Sequence, residues 1–308
     1  MNILLPRIAA RLFNTPLMVD ERKAVAIMAG LGGRVVDGQL IIDGPAPRDH
    51  VAFENGRPSE RAGILGDPIG QRFDKRGLGD DILSMAGSVA VIPIEGSLVH
   101  KGDWLDSYSG ETSYQGIQTQ VSRAARDMRV KGVVFEVDSF GGEVSGAFET
   151  AEMIAELSAK KPTLAILTDN ALSAGYLLAA AARAIVLPET GYAGSIGVIS
   201  MHIDFSRAIE NDGVRVTVMS SGARKADGSP FKPLAADVVE RWQTDLDAGR
   251  ELFAATVARF RGRKLSKKAA LETEADVYRG EAAVAAGLAD GVVRPNQAFA
   301  EFVDRVDR

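Results

Sequence analysis

A chain of 308 residues without cysteine and with a formal net charge of −5 has room for one large domain or two smaller ones. It excludes disulfides, thiolate metal sites and a cysteine nucleophile, and its acidic balance argues against sequence-independent nucleic-acid binding, which needs a basic face. Its hydrophobic share of 46% and charged share of 25% are ordinary for a globular fold, and none of the three histidines, His50, His100 and His202, stands in a Ser-His-Asp motif.

At the N-terminus, Pro6 and Arg7 break the first apolar run at once, so it does not read as a signal peptide. No apolar run is long enough to span a membrane; the longest, 174–182, is far too short. The expected location is the cytoplasm. Helical spacing marks 8–13 and 21–31, and 35–42 alternates around Asp37-Gly38 as a hairpin does. Residues 44–81 are rich in Gly, Pro, Asp and Arg without periodicity and read as an irregular linker.

From Ser88 the pattern becomes strand, helix, strand, helix. Strands are expected over 89–94, 132–137 and 162–167, with helices over 114–129 and 144–159 between them, the second capped by Ser145. A short helix opens at Ser173. Further strands are expected over 184–187, 196–200 and 214–219, helices over 206–211 and 235–261, then a short helix ending at 284–288 and a last strand at 291–293. Continuous apolar strands between helices indicate a mostly parallel sheet covered on both faces.

Three segments follow strand ends, the edge at which open α/β sheets build sites. Asp138-Ser139-Phe140-Gly141-Gly142 holds two adjacent glycines, which let the backbone turn sharply and aim an amide at a developing oxyanion; a plain tight turn is the simpler reading. In Leu172-Ser173-Ala174-Gly175 the hydroxyl of Ser173 stands at a helix start, and the Ala174 N–H completes an oxyanion hole with that of Gly142. Taken alone, Ser173 reads most simply as a helix cap. Lys225, in Ser221-Gly222-Ala223-Arg224-Lys225, serves as a base only if it is neutral, which requires burial. Its loop-like flanks call for walls from a neighbouring subunit; taken alone it is one surface lysine among many.

The ordered set resembles the signal peptide peptidase A family of Ser-Lys peptidases, including the shorter versions found in tailed-phage and prophage head genes. The resemblance covers about 88–293 and rests on residues 137–142, 171–176, Gly194-Ser195-Ile196-Gly197-Val198 and 221–225 with Ser229-Pro230; residues 277–290 look like the family's closing helix. It implies Ser173 as nucleophile, Lys225 as general base, the Gly142 and Ala174 N–H groups as oxyanion hole, and Ser195 as a residue orienting Lys225, where a structural turn serine is the alternative. Ala174 replaces a glycine often found after the nucleophile; the amide is retained.

The resemblance also implies a crotonase- and Clp-protease-like fold of repeated β-β-α units, an N-terminal α/β extension over 1–85, a peptidase domain over 86–295 and a helical tail over 296–308. It implies a homo-oligomeric ring and a polypeptide substrate: a head or scaffold protein trimmed during capsid maturation, or a leftover signal peptide. Two other classes compete. A crotonase-type acyl-CoA enzyme would need a carboxylate such as Glu143 or Glu149, and a catalytically idle assembly protein would keep the fold alone. No phosphate loop or metal-ligand cluster is visible, and Gly30-Leu31-Gly32-Gly33 lacks a βαβ context, so no cofactor is expected.

Overall fold

A computed structural model of the chain describes residues 15–19, 77, 79–102 and 110–308. The helices expected over 8–13 and 21–31, the hairpin over 35–42 and most of the stretch 44–81 lie outside them. The described elements are β1 (Leu17–Val19), a 3-10 turn (Gly79–Ile82), β2 (Ser84–Ala86), β3 (Val89–Val99), β4 (Glu111–Ser113), α1 (Tyr114–Arg126), β5 (Gly132–Glu143), α2 (Ala147–Lys160), β6 (Thr163–Leu172) and α3 (Ala174–Ala180). They continue with β7 (Ala184–Leu187), β8 (Tyr192–Gly194), α4 (Ser206–Asn211), α5 (Ala236–Arg261), α6 (Lys267–Glu272), β9 (Val277–Arg279), α7 (Glu281–Ala285), β10 (Gly291–Val292) and α8 (Pro295–Asp307).

The sheet runs β10-β7-β6-β5-β3-β2. Its central ladders are parallel, β3 with β5, β5 with β6 and β6 with β7, and β2 closes one edge antiparallel. The fold is thus α/β with a mostly parallel sheet. Successive side chains on a strand point to opposite faces, and here both faces are buried. Phe135 and Val137 of β5, with Ala165 and Leu167 of β6, enter a core that includes Ile117, Ile154 and Leu178 from α1, α2 and α3. Their neighbours Val134, Leu164 and Ile166 face the other way, against Ala298 and Phe302 of α8. This double burial is the reason the strands read as continuous apolar runs.

The central strands are longer than expected. β3, β5 and β6 run on to Val99, Glu143 and Leu172, past a register shift between Gly96 and Ser97 and another between Val137 and Ser139. Beyond the shifts they gain a second set of partners: β4 on β3, β1 on β5, and β8 on β6. Leu17–Val19 therefore lies in the main sheet although it is remote from it in sequence.

Three expectations need correction. Ser145 does not cap α2; Gly146 does, at φ 89°, without a side-chain bond. A Cβ there would stand 2.6 Å from the His100 ring, so close packing fixes the helix start on a glycine. The strand over 196–200 is not formed. Gly194 (φ 128°) and Ser195 (φ 56°) turn the chain out of extended geometry, and Ile199 alone bridges, to Leu17. Residues 214–219 are not a strand either, and Val214, Val216, Val218 and Met219 are exposed. A strand exists only through its ladder, and among the described residues none lies beside this one.

Candidate active site

β6 delivers Ser173 directly into α3. The Ser173 N–H donates to Gly194 O at 2.9 Å, and its carbonyl accepts from Leu177 N at 3.0 Å, the first bond of the helix. Its side chain makes no capping bond, so the cap reading of the sequence fails. The residue is 1% exposed, and Oγ has no hydrogen-bond partner among the described residues. Its backbone, φ 53° and ψ −120°, has the shape taken elsewhere in this chain by Gly262 (φ 60°, ψ −123°) and Gly280 (φ 49°, ψ −124°). A residue with a Cβ held there stores on the order of 1–3 kcal/mol of strain. The fold thus maintains an unbonded hydroxyl in an unfavourable pose, a combination found at functional sites.

The glycine pair packs against this turn. A Cβ on Gly141 (φ 99°) would stand 3.0 Å from Ala174 N, so the pair and the amide after Ser173 are adjacent. Ala174 opens α3, and a first-turn N–H has no acceptor within its own helix. A Cβ on Gly142 would stand 1.9 Å from Leu98 O, so only glycine lets β5 approach β3 this closely. Ser139 secures the turn: its hydroxyl donates to Gly96 O (2.7 Å) and accepts from Gly141 N (3.1 Å). It also lies under the helix, since a Cβ on Gly175 would stand 2.9 Å from Ser139 O. Ser139 has no role of its own in the motif reading; its place two residues before Gly141 is the available signal.

Ser195 is buried and its N–H donates to Asp276 O at 2.9 Å. Because Ser173 N bonds Gly194 O, Ser195 belongs to the same neighbourhood. The structure therefore brings together Ser173, Ala174, Gly142 and Ser195. It does not bring Lys225 to them. Lys225 is exposed, in a turn where its N–H donates to Gly222 O at 3.1 Å. Since Ser173 Oγ has no partner, no bond joins the two in the isolated chain. The turn is moored to α5 by Arg241, which pairs with Asp227 and, at 2.8 Å, with Asp237.

Of the two carboxylates an acyl-CoA enzyme could use, one is bonded to backbone and the other is exposed. Glu143 accepts from the His100 N–H at 2.7 Å, and Glu149 is exposed on α2. Among the described residues no group of three or more His, Cys, Asp or Glu is arranged to hold a metal, and no helix is long and apolar enough to cross a membrane.

The chain has recognisable relatives. It is 36% identical over 306 residues to the capsid assembly protease C of Escherichia phage lambda, covering 98% of this chain and 66% of that protein. It is 34% identical over 295 residues to the head-tail preconnector protein GP5 of Enterobacteria phage P21, covering 96% and 56%. The chain thus spans less than two thirds of the length of these relatives. Among solved structures, a membrane-bound stomatin-specific protease matches at 17% identity and a TM-score of 0.41, over 69% of this chain and 78% of that one. An enoyl-CoA hydratase/isomerase family member matches at 15% identity and a TM-score of 0.42, over 73% and 76%. Residues 155–307, which include Ser173 and Lys225, match Peptidase family S49. Over residues 155–307 the chain belongs to peptidase family S49.

Proposed function

We propose that the chain is a serine endopeptidase working through a Ser-Lys dyad, and that it trims head or scaffold proteins during assembly of a phage capsid. The observation that carries this reading is Ser173: a buried, strained, unbonded hydroxyl next to the Ala174 amide and the Gly141-Gly142 turn. A hydroxyl needs a neighbouring base to attack a carbonyl. Ser173 Oγ attacks the scissile carbonyl as neutral Lys225 takes its proton. The Gly142 and Ala174 N–H groups bind the oxyanion. Lys225 returns the proton to the leaving amine, and water releases the acyl group. Ser195 orients Lys225.

Lys225 becomes neutral only when desolvated. In the isolated chain it lies on an exposed segment that also presents Val214, Val216, Val218 and Met219 to solvent. Contiguous exposed apolar residues mark interaction surfaces. The enzyme is therefore a homo-oligomeric ring in which a neighbouring copy covers this segment and seats Lys225 against Ser173. The names of the phage relatives support the head-assembly substrate, and the assembling head in the host cytoplasm is the corresponding location. Residues 1–85 form an extension to the peptidase domain, 86–295, and 296–308 its helical tail.

A fluorophosphonate probe and a peptide-cleavage assay test the reading on the assembled protein. Wild type is expected to label at Ser173 and to shorten a co-expressed head protein, whereas Ser173→Ala does neither. Equal cleavage of the head protein by the two refutes the assignment.

A further inference from the structure

β1 sits where a substrate would have to lie. Its three residues pair antiparallel with the end of β5, Leu17 opposite Glu143, Met18 opposite Gly142 and Val19 opposite Gly141. On its other side Leu17 exchanges both backbone bonds with Ile199, at 2.8 and 2.9 Å. Along a strand the N–H and C=O groups of successive residues turn to opposite sides. With those of Leu17 spent on Ile199, those of Met18 face Gly142. Close approach at Gly141 agrees: the point where its Cβ would stand is 2.0 Å from Met18 O and 3.0 Å from Ala174 N. The Met18 carbonyl thus lies beside the two amides that the reading above assigns to the oxyanion hole.

The side chains repeat the pattern. Met18 is fully buried in the main core, while Leu17 and Val19 pack on the opposite side with Ile199 and Met201. An extended strand bonded on both edges, with one side chain in a deep apolar pocket and its carbonyl at an oxyanion hole, is how a peptidase holds a peptide awaiting attack.

We propose that β1 is a substrate-mimicking strand: it fills the peptide cleft of this chain, with Met18 C=O in the place of the scissile carbonyl, and keeps the cleft closed until a peptide of the same kind displaces it. The proposal rests on the Ser-Lys reading for the identity of the cleft. It also names the substrate class: an extended segment with three consecutive apolar residues, the middle one unbranched at Cβ and carrying the carbonyl to be attacked. Since the mimic is part of the chain, it competes at the high effective concentration of a tethered ligand.

The test separates binding from catalysis. A fluorescent peptide with the sequence of residues 15–20 is titrated by anisotropy into two full-length proteins, both carrying Ser173→Ala, one also carrying Met18→Asp to expel the strand. The Met18→Asp protein is expected to bind at least about tenfold more tightly, because its own strand no longer competes. Equal affinities, or no binding to either, overturn the proposal. If circular dichroism shows that Met18→Asp prevents folding, deletion of residues 1–20 takes its place with the same expected result. With Ser173 restored, an opened protein that binds the peptide but neither cleaves it nor takes the fluorophosphonate upholds the occluding strand and overturns the peptidase reading.

Discussion

Ser173→Ala separates the two roles open to this residue by the sign of its effect on stability. Were Ser173 a capping serine, its loss would cost about 1 kcal/mol. Its hydroxyl, however, is buried without a partner, and an unsatisfied buried polar group costs roughly 1–3 kcal/mol. Removing it is therefore expected to stabilise the fold by about 1 kcal/mol. Ser173→Gly goes further, because φ 53° and ψ −120° suit glycine. Strain relief of about 1–3 kcal/mol, less the entropy glycine adds to the unfolded chain, leaves roughly another 1 kcal/mol. In a chain of this size 1 kcal/mol corresponds to about 2 °C in Tm. Urea unfolding followed by circular dichroism, with calorimetry for Tm, should rank glycine above alanine above serine, while both variants lose peptide cleavage. A loss of about 1 kcal/mol in Ser173→Ala, the cost of a deleted cap, would make Ser173 a capping serine after all.

Gly142→Ala drives a Cβ to 1.9 Å from Leu98 O, so β3 must shift; a loss of roughly 1–3 kcal/mol in urea and of about 100-fold in cleavage, as for a misplaced oxyanion donor, is expected. Lys225→Ala should abolish cleavage yet move stability by less than about 0.5 kcal/mol in the isolated chain, since the side chain is exposed; a larger shift in Tm would make it structural. Asp290→Asn strips the buried Arg261 guanidinium of its carboxylate (2.9 Å; side chains 1% and 18% exposed) and should cost about 2 kcal/mol, less than for a fully buried pair. Burial raises the Asp290 pKa, but hydrogen bonds from Arg261 and Lys264 outweigh it and hold the carboxyl below its ordinary value. Its stabilisation is therefore complete above the unfolded pKa and fades as pH falls through the lower folded one. The acid limb of a stability–pH curve should flatten in Asp290→Asn; an unchanged limb would exclude this carboxylate as its source.

The doubly covered sheet was legible because Val133 to Val137 and Leu164 to Leu167 are apolar on both faces. The full reach of β5 was not. Asp138-Ser139-Phe140-Gly141-Gly142 has the composition of a loop, and it stays extended only because β1 and β3 supply ladders that local sequence does not encode. Ser173 was found by its motif, but its conformation was hidden, since serine before a helix is the common signature of a cap. The run 214–219 alternates as a strand does and yet has no strand partner among the described residues; pattern reports what a segment can pair as, not whether a neighbour is present. Met18 gave no signal, because three apolar residues after Pro16 are too few to show a period.

The contrast between the buried Ser173 and the exposed Lys225 bears on safety inside the cell that makes the protein. On the proposed Ser-Lys reading, a nucleophile locked in the core and a base seated by a neighbouring copy make a latent enzyme, and a newly made, solitary copy would be harmless to the proteins around it. Its output then scales with the assembled population rather than with the total, so dilution silences it and local crowding ignites it. On that reading, timing is written into stoichiometry.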